Sequence, residues 1–323
     1  MAYATKLTEL LGIEHPLFLA PMGGVAGGRL AGAVSGAGAL GFIGAGYSGT
    51  EGLDRELALV GDEPIGIGFI TWTLEQNRRL LDAALARTPV AVWLSFGDPA
   101  PYVAAIREAG AKLVIQVQSI RQASEALEAG ADVLVAQGTE AGGHGGNERT
   151  TFTLLPEVVD LAAGAGVPVL AAGGVVDGRG LAAALVLGAD GAVVGSRFVA
   201  SEESLLSAAA RGLVARAGGD DTVRTRVYDV ARGLSWPKEF TGRVLRNELV
   251  DRWHGREDEL AEQLPQLRDA FARALAGDDF RMATVHIGEG VGLIGDVLPA
   301  ADIVRGLVDE ADRAFARVPS RRG

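Results

Sequence analysis

The sequence predicts a TIM (β/α)8 barrel with a small helical substrate domain inserted near its C-terminus. Three observations lead to this prediction. The chain has 323 residues, more than the roughly 250 that a single barrel needs. Short apolar runs begin every 21 to 25 residues along the first 200, with one longer interval of 35. Segments with helical periodicity separate these runs, which is typical of repeated strand–helix units.

The eight apolar runs have the character of strands buried on both faces. Each is short, lacks alternation of polar and apolar residues, and ends near glycine or another turn residue. They cover residues 16–22, 40–46, 65–70, 90–96, 112–117, 133–138, 168–174 and 192–197. Eight such units favour a closed parallel barrel. A doubly wound open sheet is the alternative, but it usually has fewer strands.

Helices are expected between the strands. Residues 74–86 and 120–129 place apolar side chains at helical spacing. Several helical segments end in a similar phrase, as in Ala109-Gly110-Ala111 and Ala129-Gly130-Ala131. Glycine in these phrases predicts a helix cap in the left-handed conformation, directly before the next strand.

The pattern of buried strands stops after about residue 211. Residues 216–276 are charged and contain no long apolar run, so we expect them to be helical. Residues 303–316 predict a terminal helix that packs back on the barrel. The predicted organisation is a barrel over 1–214, a helical substrate or lid domain over 215–277, and a C-terminal segment over 278–323 that returns to the barrel.

Composition excludes several classes of function. The net charge of −11 makes the chain a poor partner for nucleic acid or an anionic membrane. Without cysteine, it has no disulfide, thiol nucleophile or cysteine-bound metal. The first residues lack the layout of a signal peptide, and the least polar stretch, 161–176, is interrupted by glycines and Pro168. We therefore expect a cytoplasmic protein that acts on a small molecule. Its alanine-rich helices suit a homodimer face as well as packing on the barrel.

Two neighbouring strand ends predict a phosphate site. Active sites of such barrels lie at the carboxyl ends of the strands, and the loops after strands seven and eight commonly hold phosphate. The seventh run ends in Gly173-Gly174, and the eighth contains Gly195-Ser196. Backbone amides at such positions bind phosphate without a lysine, which suits an acidic protein. The alternative is that these glycines serve only tight turns.

The longer interval after the sixth strand contains the candidate catalytic residue. His144 follows Gly142-Gly143 in a glycine-rich loop at the expected mouth of the barrel. Imidazole exchanges protons near neutral pH, and flanking glycines let a flat ligand approach the backbone. The alternative is an ordinary histidine in a surface loop.

The other three histidines have different expected places. His15 precedes the first strand and is predicted to be structural, whereas His254 falls in the charged segment and is predicted to lie on the surface. His286 precedes a second glycine-rich phrase and is a candidate for the mouth of the barrel. No pair of histidines or carboxylates has the spacing of metal ligands, so we predict no metal site.

Four phrases together resemble the nitronate monooxygenases, formerly called 2-nitropropane dioxygenases. They occur in the family's order within residues 7–203, nearly the whole predicted barrel. The phrases are Ala20-Pro21-Met22-Gly23-Gly24, the loop from Gln137 to His144, Ala172-Gly173-Gly174-Val175, and Gly195-Ser196-Arg197-Phe198. The same phrases occur in flavin-dependent enoyl-acyl-carrier-protein reductases and in related quinone reductases and acyl-CoA dehydrogenases.

The resemblance implies bound FMN and the oxidation of alkyl nitronates, such as propionate 3-nitronate, by O2 to a carbonyl compound and nitrite. It also implies roles for individual residues. His144 would act on a substrate proton or bind an anionic substrate. Gly173, Gly174, Gly195 and Ser196 would hold the FMN phosphate; Ala20, Pro21 and Met22 would lie near the isoalloxazine ring; Gln116, Gly138, Gly142 and Gly143 would line the flavin.

Three other functions are also compatible with the sequence. An NAD(P)H-dependent flavin reductase, or an acyl-CoA or acyl-carrier-protein oxidoreductase, would use the same FMN site. A non-catalytic flavin-binding protein would have no need of His144. A sugar-phosphate isomerase or aldolase usually requires a lysine or carboxylate at a strand end, and none of the eight predicted strand ends offers one inside the barrel.

Overall fold

The barrel predicted from the apolar runs is present. The computed structural model describes residues 3–317. Its strands are β1 (Leu17–Leu19), β2 (Gly41–Gly44), β3 (Ile65–Ile70), β4 (Ala91–Ser95), β5 (Lys112–Val117), β6 (Val133–Gln137), β7 (Gly143–Gly145), β8 (Val169–Ala172), β9 (Gly191–Val194), β10 (Thr222–Thr225) and β11 (Thr241–Leu245). Eight of them form one parallel sheet in the order β1-β9-β8-β6-β5-β4-β3-β2, and each overlaps one predicted run.

The sheet closes between its first and last strands. Phe18 of β1 forms a parallel bridge with Leu40, directly before β2. The backbone N–H of Leu19 donates to the carbonyl of Leu40 at 2.9 Å. No edge is left open at this seam, so a closed barrel replaces the doubly wound alternative.

Helices connect the strands and cover the barrel. They are α1 (Lys6–Leu11), α2 (Gly28–Gly36), α3 (Thr50–Leu57), α4 (Thr71–Leu74), α5 (Arg78–Leu85), α6 (Ala100–Glu108), α7 (Ile120–Ala129), α8 (Thr151–Ala163), α9 (Gly178–Val186), α10 (Ser196–Val199), α11 (Ala208–Val214), α12 (Val227–Arg232), α13 (Glu248–Trp253), α14 (Glu257–Glu262), α15 (Leu264–Ala276) and α16 (Ala300–Arg317).

One predicted helix coincides with the structure and one does not. Residues 120–129 form α7, whose last turn is capped by Gly130 at φ +83°. The continuous helix expected over 74–86 is wrong, because the chain leaves the helical conformation between α4 and α5. Asn77 has φ −144° and starts α5 from the N-cap position, a place that asparagine prefers to a helix interior.

Aromatic side chains fill the interior of the barrel. The ring centroids of Phe18 and Phe42 are 5.1 Å apart, and Trp93 stands edge-on to Phe42 at 5.3 Å. All three side chains are almost completely buried. A Cβ on Gly66 would lie 2.2 Å from the Phe42 ring, so the absent side chain makes room for this cluster. The interior of the barrel is therefore a packed core.

The segment after the eighth strand is not purely helical, which corrects the prediction for residues 216–276. It contributes β10 and β11, which form a three-stranded antiparallel sheet with β7. The apolar pattern missed β11 because Arg243 interrupts it, although this side chain is itself buried. Helices α12 to α15 cover a separate small core that includes Tyr228, Val250 and Trp253. We call residues 222–276 the cap segment. The domain boundaries at 214 and 277 stay predictions.

The terminal helix returns to the barrel as expected. The predicted helix over 303–316 lies within α16, which packs against α9 and α2. The backbone N–H of Gly178, at the start of α9, donates to the Glu310 carboxylate at 2.9 Å. The last six residues of the predicted C-terminal segment, 318–323, lie outside the described residues. Within residues 3–317, no helix is long and apolar enough to cross a membrane.

Replacing Gly41 by alanine is expected to destabilise the barrel. A Cβ at this position would lie 2.0 Å from the backbone carbonyl oxygen of Ala31, so β2 and α2 would have to separate. Overpacking of this kind costs about 1–3 kcal/mol of unfolding free energy. Urea unfolding followed by circular dichroism measures the effect.

Gly306 provides the matched control for this substitution. It lies inside α16, and nothing is within 4 Å of a Cβ built there. Gly306→Ala should stabilise the protein by about 0.5–1 kcal/mol, because alanine has the better helix propensity. A loss of stability equal to that of Gly41→Ala would contradict the packing explanation.

Candidate functional site

A cavity of about 350 Å³ opens at the carboxyl ends of the barrel strands. The loops after the strands form its floor and one side, and the cap segment and residues 284–290 form the rest. Of the twelve residues predicted for the site, the eleven that line this cavity are Ala20, Pro21, Met22, Gln116, Gly142, Gly143, His144, Gly173, Gly174, Gly195 and Ser196. Gly138 does not line it. A Cβ on Gly138 would meet the backbone nitrogen of Thr151 at 2.1 Å, so this glycine packs behind the wall.

The loops after β8 and β9 form a cradle of backbone amides. Gly173 has φ +103° and Gly174 has φ +76°, conformations that favour glycine. Within residues 3–317, the N–H groups of Gly174, Gly195 and Ser196 donate no hydrogen bond. Unpaired amides at a strand end and a helix start are suited to an anionic group.

A second glycine-rich phrase closes this cradle. The hydroxyl of Ser196 accepts a hydrogen bond from the backbone N–H of Gly288 at 2.9 Å. A Cβ on Gly142 would meet that same nitrogen at 2.5 Å, so the two loops touch through their backbones. The loop that carries His286 is therefore fixed against the loop that carries His144.

His144 is fixed on two sides. Its Nε2 lies 2.9 Å from Oδ1 and 3.0 Å from Oδ2 of Asp229. The imidazole stacks on the indole of Trp236, with ring centroids 3.6 Å apart and planes within 3° of parallel. The Asp229 side chain is only 6% exposed, so water does not compete for this contact. The other ring nitrogen, Nδ1, has no hydrogen-bond partner among residues 3–317.

Strand pairing brings these residues together. His144 lies on β7 opposite Gly242 of β11. Asp229 lies on α12, which begins two residues after β10, and β10 pairs with the other edge of β11. The three-stranded sheet therefore holds the barrel loop and the cap segment in one register.

A hydrogen-bonded set of glutamines supports the loop from below. The carboxamide oxygen of Gln137 accepts from Nε2 of Gln116 at 3.0 Å and from Nε2 of Gln118 at 3.1 Å. The Nε2 of Gln137 donates in turn to the backbone carbonyl of His144 at 3.3 Å. Gln116 and Gln137 both line the cavity, so their orientation is fixed before any ligand binds.

Aromatic residues form the wall opposite the cradle. Trp236 stands edge-on to Trp72 at 5.5 Å and to Phe96 at 5.1 Å. Its Nε1 donates to the hydroxyl of Tyr47 at 2.7 Å. Burial raises the pKa of Tyr47 to about 12, so this phenol stays protonated. The wall is rigid and apolar, which suits a reaction that must exclude water.

His286 and Arg232, two further nitrogen-bearing side chains that line the cavity, differ in charge. Burial, together with the nearby His144 and Arg232, lowers the pKa of His286 to about 3, so this imidazole is neutral at physiological pH. The guanidinium of Arg232 lies over the Tyr47 ring, 4.9 Å from its centroid. Arg232 lines the cavity and forms no ion pair with another described residue.

The sequence prediction assigned no role to Asp229, Arg232, Trp236 or Tyr47. Asp229 and Arg232 are three residues apart on α12, a spacing that puts side chains on one face of a helix. The spacing indicates that the two side chains share one face of a helix, but it does not indicate which surface of the protein that helix covers. Of the remaining histidines, His286 lines the cavity, whereas His15 and His254 do not.

A family model and a close relative identify the family, and other relatives have different names. Residues 4–78 and 68–310 match the nitronate monooxygenase family model. The nitronate monooxygenase npaC of Metarhizium robertsii is 39% identical over 331 residues, covering 92% of this chain and 91% of that protein. A second relative from Mycobacterium tuberculosis is the (3aS,4S,5R,7aS)-5-hydroxy-7a-methyl-1-oxo-octahydro-1H-indene-4-carboxyl-CoA dehydrogenase. It is 38% identical over 259 residues, which cover 78% of this chain and 69% of that protein. The solved structure of FabK from Thermotoga maritima has a TM-score of 0.86 at 31% identity, covering 99% of each chain.

The buried His286 is expected to make the protein sensitive to acid. In the unfolded chain this imidazole takes up a proton below its ordinary pKa of 6.5, whereas the folded protein resists protonation down to about 3. The unfolding free energy therefore decreases as the pH falls from 6.5 towards 3. Between pH 6.5 and 5, His286 should lower the unfolding free energy by up to about 2 kcal/mol.

His286→Gln removes this contribution and should flatten the dependence of stability on pH between 6.5 and 5. Urea unfolding at several pH values measures the slope. His254→Gln is the control, because its side chain is about half exposed. Equal slopes in wild type and His286→Gln would show that His286 is protonated alike in the folded and unfolded states.

Proposed function

The chain belongs to the nitronate monooxygenase family of oxidoreductases, and from this premise we propose that it oxidises alkyl nitronates with O2 at a bound FMN. Overall, two nitronate anions and one O2 give two carbonyl compounds and two nitrite ions, which balances atoms and charge. The observation that carries the proposal is a single cavity that joins the amide cradle, suited to the phosphate of FMN, to the fixed imidazole of His144, which is suited to forming the nitronate from a nitroalkane.

The cavity is suited to FMN. The unpaired amides of Gly174, Gly195 and Ser196 offer hydrogen bonds to a phosphate without a lysine. On the β1 side, Pro21 and Met22 line the cavity, where a flat ring would pack. A Cβ on Gly68 would lie 2.2 Å from Cβ of Pro21, so glycine at this position lets the Pro21 loop pack closely against β3. When bound, FMN supplies the electron transfer; the protein supplies position and electrostatics.

His144 is the residue that handles the substrate proton. Asp229 occupies Nε2, so Nδ1 is the nitrogen available to a substrate. A neutral nitroalkane must lose a proton from the carbon that bears the nitro group before it is a nitronate, whereas a preformed nitronate needs no base. Trp236 and Phe96 line the cavity, with Trp72 packed behind Trp236, and this aromatic surface is suited to keeping water from the reacting atoms.

An acyl-thioester oxidoreductase, or a flavin reductase that uses NAD(P)H, is the second candidate. The observation that favours the thioester is the 38% identity to a carboxyl-CoA dehydrogenase. Either reaction would use the same cradle and the same wall. A cytoplasmic location and a homodimer stay predictions.

An anaerobic titration of the purified protein with propionate 3-nitronate tests the main proposal. The protein should contain FMN, as purified or after reconstitution, and the absorbance of the oxidised flavin should fall when the nitronate is added. Admission of O2 should restore the absorbance and release nitrite, which a colorimetric assay measures.

The same titration separates the two candidates. Loss of flavin absorbance with NADH, NADPH or an acyl-CoA, but not with the nitronate, would replace the nitronate proposal by the second candidate. A protein that binds no FMN even after reconstitution would contradict both.

Replacing His144 by alanine should separate two substrates. Turnover of a neutral nitroalkane is expected to fall by about 10²- to 10⁴-fold, the usual contribution of a general base. Turnover of the corresponding preformed nitronate should fall much less, because no proton has to be removed.

Steady-state assays of nitrite release, with each substrate in parallel, provide the measurement for His144→Ala. Replacing the exposed His254 instead should leave both activities unchanged. Equal losses of both activities in His144→Ala would contradict a role as base and would point to a structural role.

A further inference from the structure

The cavity has one charged side chain in its lining. Among the described residues that line it, Arg232 is the only one of the types Lys, Arg, Asp or Glu. Its guanidinium forms no ion pair within residues 3–317, although the chain as a whole is acidic. The two most buried of the described arginines have carboxylate partners, since Arg197 has Asp296 at 2.6 Å and Arg243 has Glu289 at 2.8 Å. Arg224 is partly buried without an ion pair in the described part of the chain, but it does not line the cavity and donates to Thr139 and to the carbonyl of Thr241. Arg232 is therefore a partly buried cation that lines the cavity and forms no ion pair with another described residue.

His144 does not provide an equivalent charge. A protonated His144 beside Asp229 would be an ion pair with no net charge, because Nε2 lies within 3.0 Å of both carboxylate oxygens. His286 is neutral. An anionic substrate in this cavity is therefore attracted by Arg232 more than by the imidazoles. Binding of an anionic substrate by His144, which the family resemblance implies, stays a prediction.

The surroundings of Arg232 orient its guanidinium. The group lies over the face of Tyr47, and the hydroxyl of Tyr47 accepts from Nε1 of Trp236. Trp236 is also the residue on which His144 stacks. The indole of Trp236 therefore helps to position both the imidazole, which stacks on it, and the guanidinium, which lies over its hydrogen-bond partner Tyr47. Arg232 is on the side of Tyr47, which follows β2, whereas the amide cradle follows β8 and β9.

We propose that Arg232 is the residue that binds the anionic group of the substrate, and that it selects planar groups carrying one negative charge on two oxygens. A guanidinium offers two parallel N–H donors that match such a group. The nitronate group C=NO2⁻ has this shape and charge, and a carboxylate has the same. The inference rests on the proposed function for the nitronate and extends to any substrate with an equivalent anion. Binding of the charge then belongs to Arg232, and transfer of the proton belongs to His144.

Kinetics of Arg232→Gln and Arg232→Lys with a nitronate and its neutral nitroalkane test this assignment. Arg232→Gln should raise the KM for the nitronate by about 10- to 100-fold, the value of a hydrogen bond to a charged group, with a smaller change in kcat. Arg232→Lys should retain part of the affinity, because it keeps the charge but loses the fork of donors. The KM for the neutral nitroalkane should change little in either variant.

Arg226 provides a matched control at the N-cap of the same helix. It directly precedes α12, forms no ion pair with another described residue, and does not line the cavity. Arg226→Gln removes the same charge and should leave both KM values as in the wild type. A rise in KM equal to that of Arg232→Gln would mean that overall charge, and not a contact, attracts the substrate.

Equilibrium binding of butyrate separates this inference from the proposed function. Butyrate carries a planar carboxylate and no nitro group, so its binding to the FMN-loaded protein, measured by calorimetry, needs no turnover. Arg232→Gln should weaken it by at least about 10-fold. If no nitronate is oxidised and butyrate binding still depends on Arg232, the nitronate proposal fails and the anion site stands. Equal butyrate affinity in wild type and Arg232→Gln, or loss of FMN from a folded Arg232→Gln protein, would overturn the assignment.

Discussion

The antiparallel pairing of β7 with β11 is the contact on which the geometry of the site depends. Three residue pairs join the strands, from Gly143 opposite Arg243 to Gly145 opposite Thr241. Without this pairing, β7 would be a glycine-rich loop with little side-chain packing to order it. The pairing also decides where the cap segment lies, because β10 and α12 follow from β11. The contact between His144 and Asp229 is thus a consequence of backbone hydrogen bonds formed elsewhere.

The elements predicted correctly are those whose signal is local in the sequence. A barrel strand is buried on both faces, so its apolar run can be recognised without knowing its neighbours. The glycines at the ends of β8 and β9 could be found because their backbone conformation and their position in the barrel are both stereotyped. The break between α4 and α5 was missed because Asn77 is tolerated in a helix and only preferred at its start.

The residues that were missed depend on contacts between distant parts of the chain. Asp229, Arg232 and Trp236 belong to a segment whose docking surface no local pattern reveals. Arg243 shows the same difficulty, since a buried arginine in the middle of β11 has the sequence signature of a surface residue. Its partner Glu289 lies beyond the cap segment, so only the folded chain explains why the charge is tolerated.

The order of the site residues along the chain has a consequence for how this protein could diversify. The amide cradle and the floor of the cavity come from the barrel, before Ala200, whereas Arg232 and Trp236 come from the cap segment. Under the proposed function, the residues that would hold FMN and the residues that would select the substrate therefore lie in separate stretches of the chain. Exchange of the cap segment, with the pairing of β7 to β11 retained, would then change the substrate range and leave the amide cradle unchanged. The barrel and the cap segment thus form two modules, which are connected through the pairing of β7 with β11.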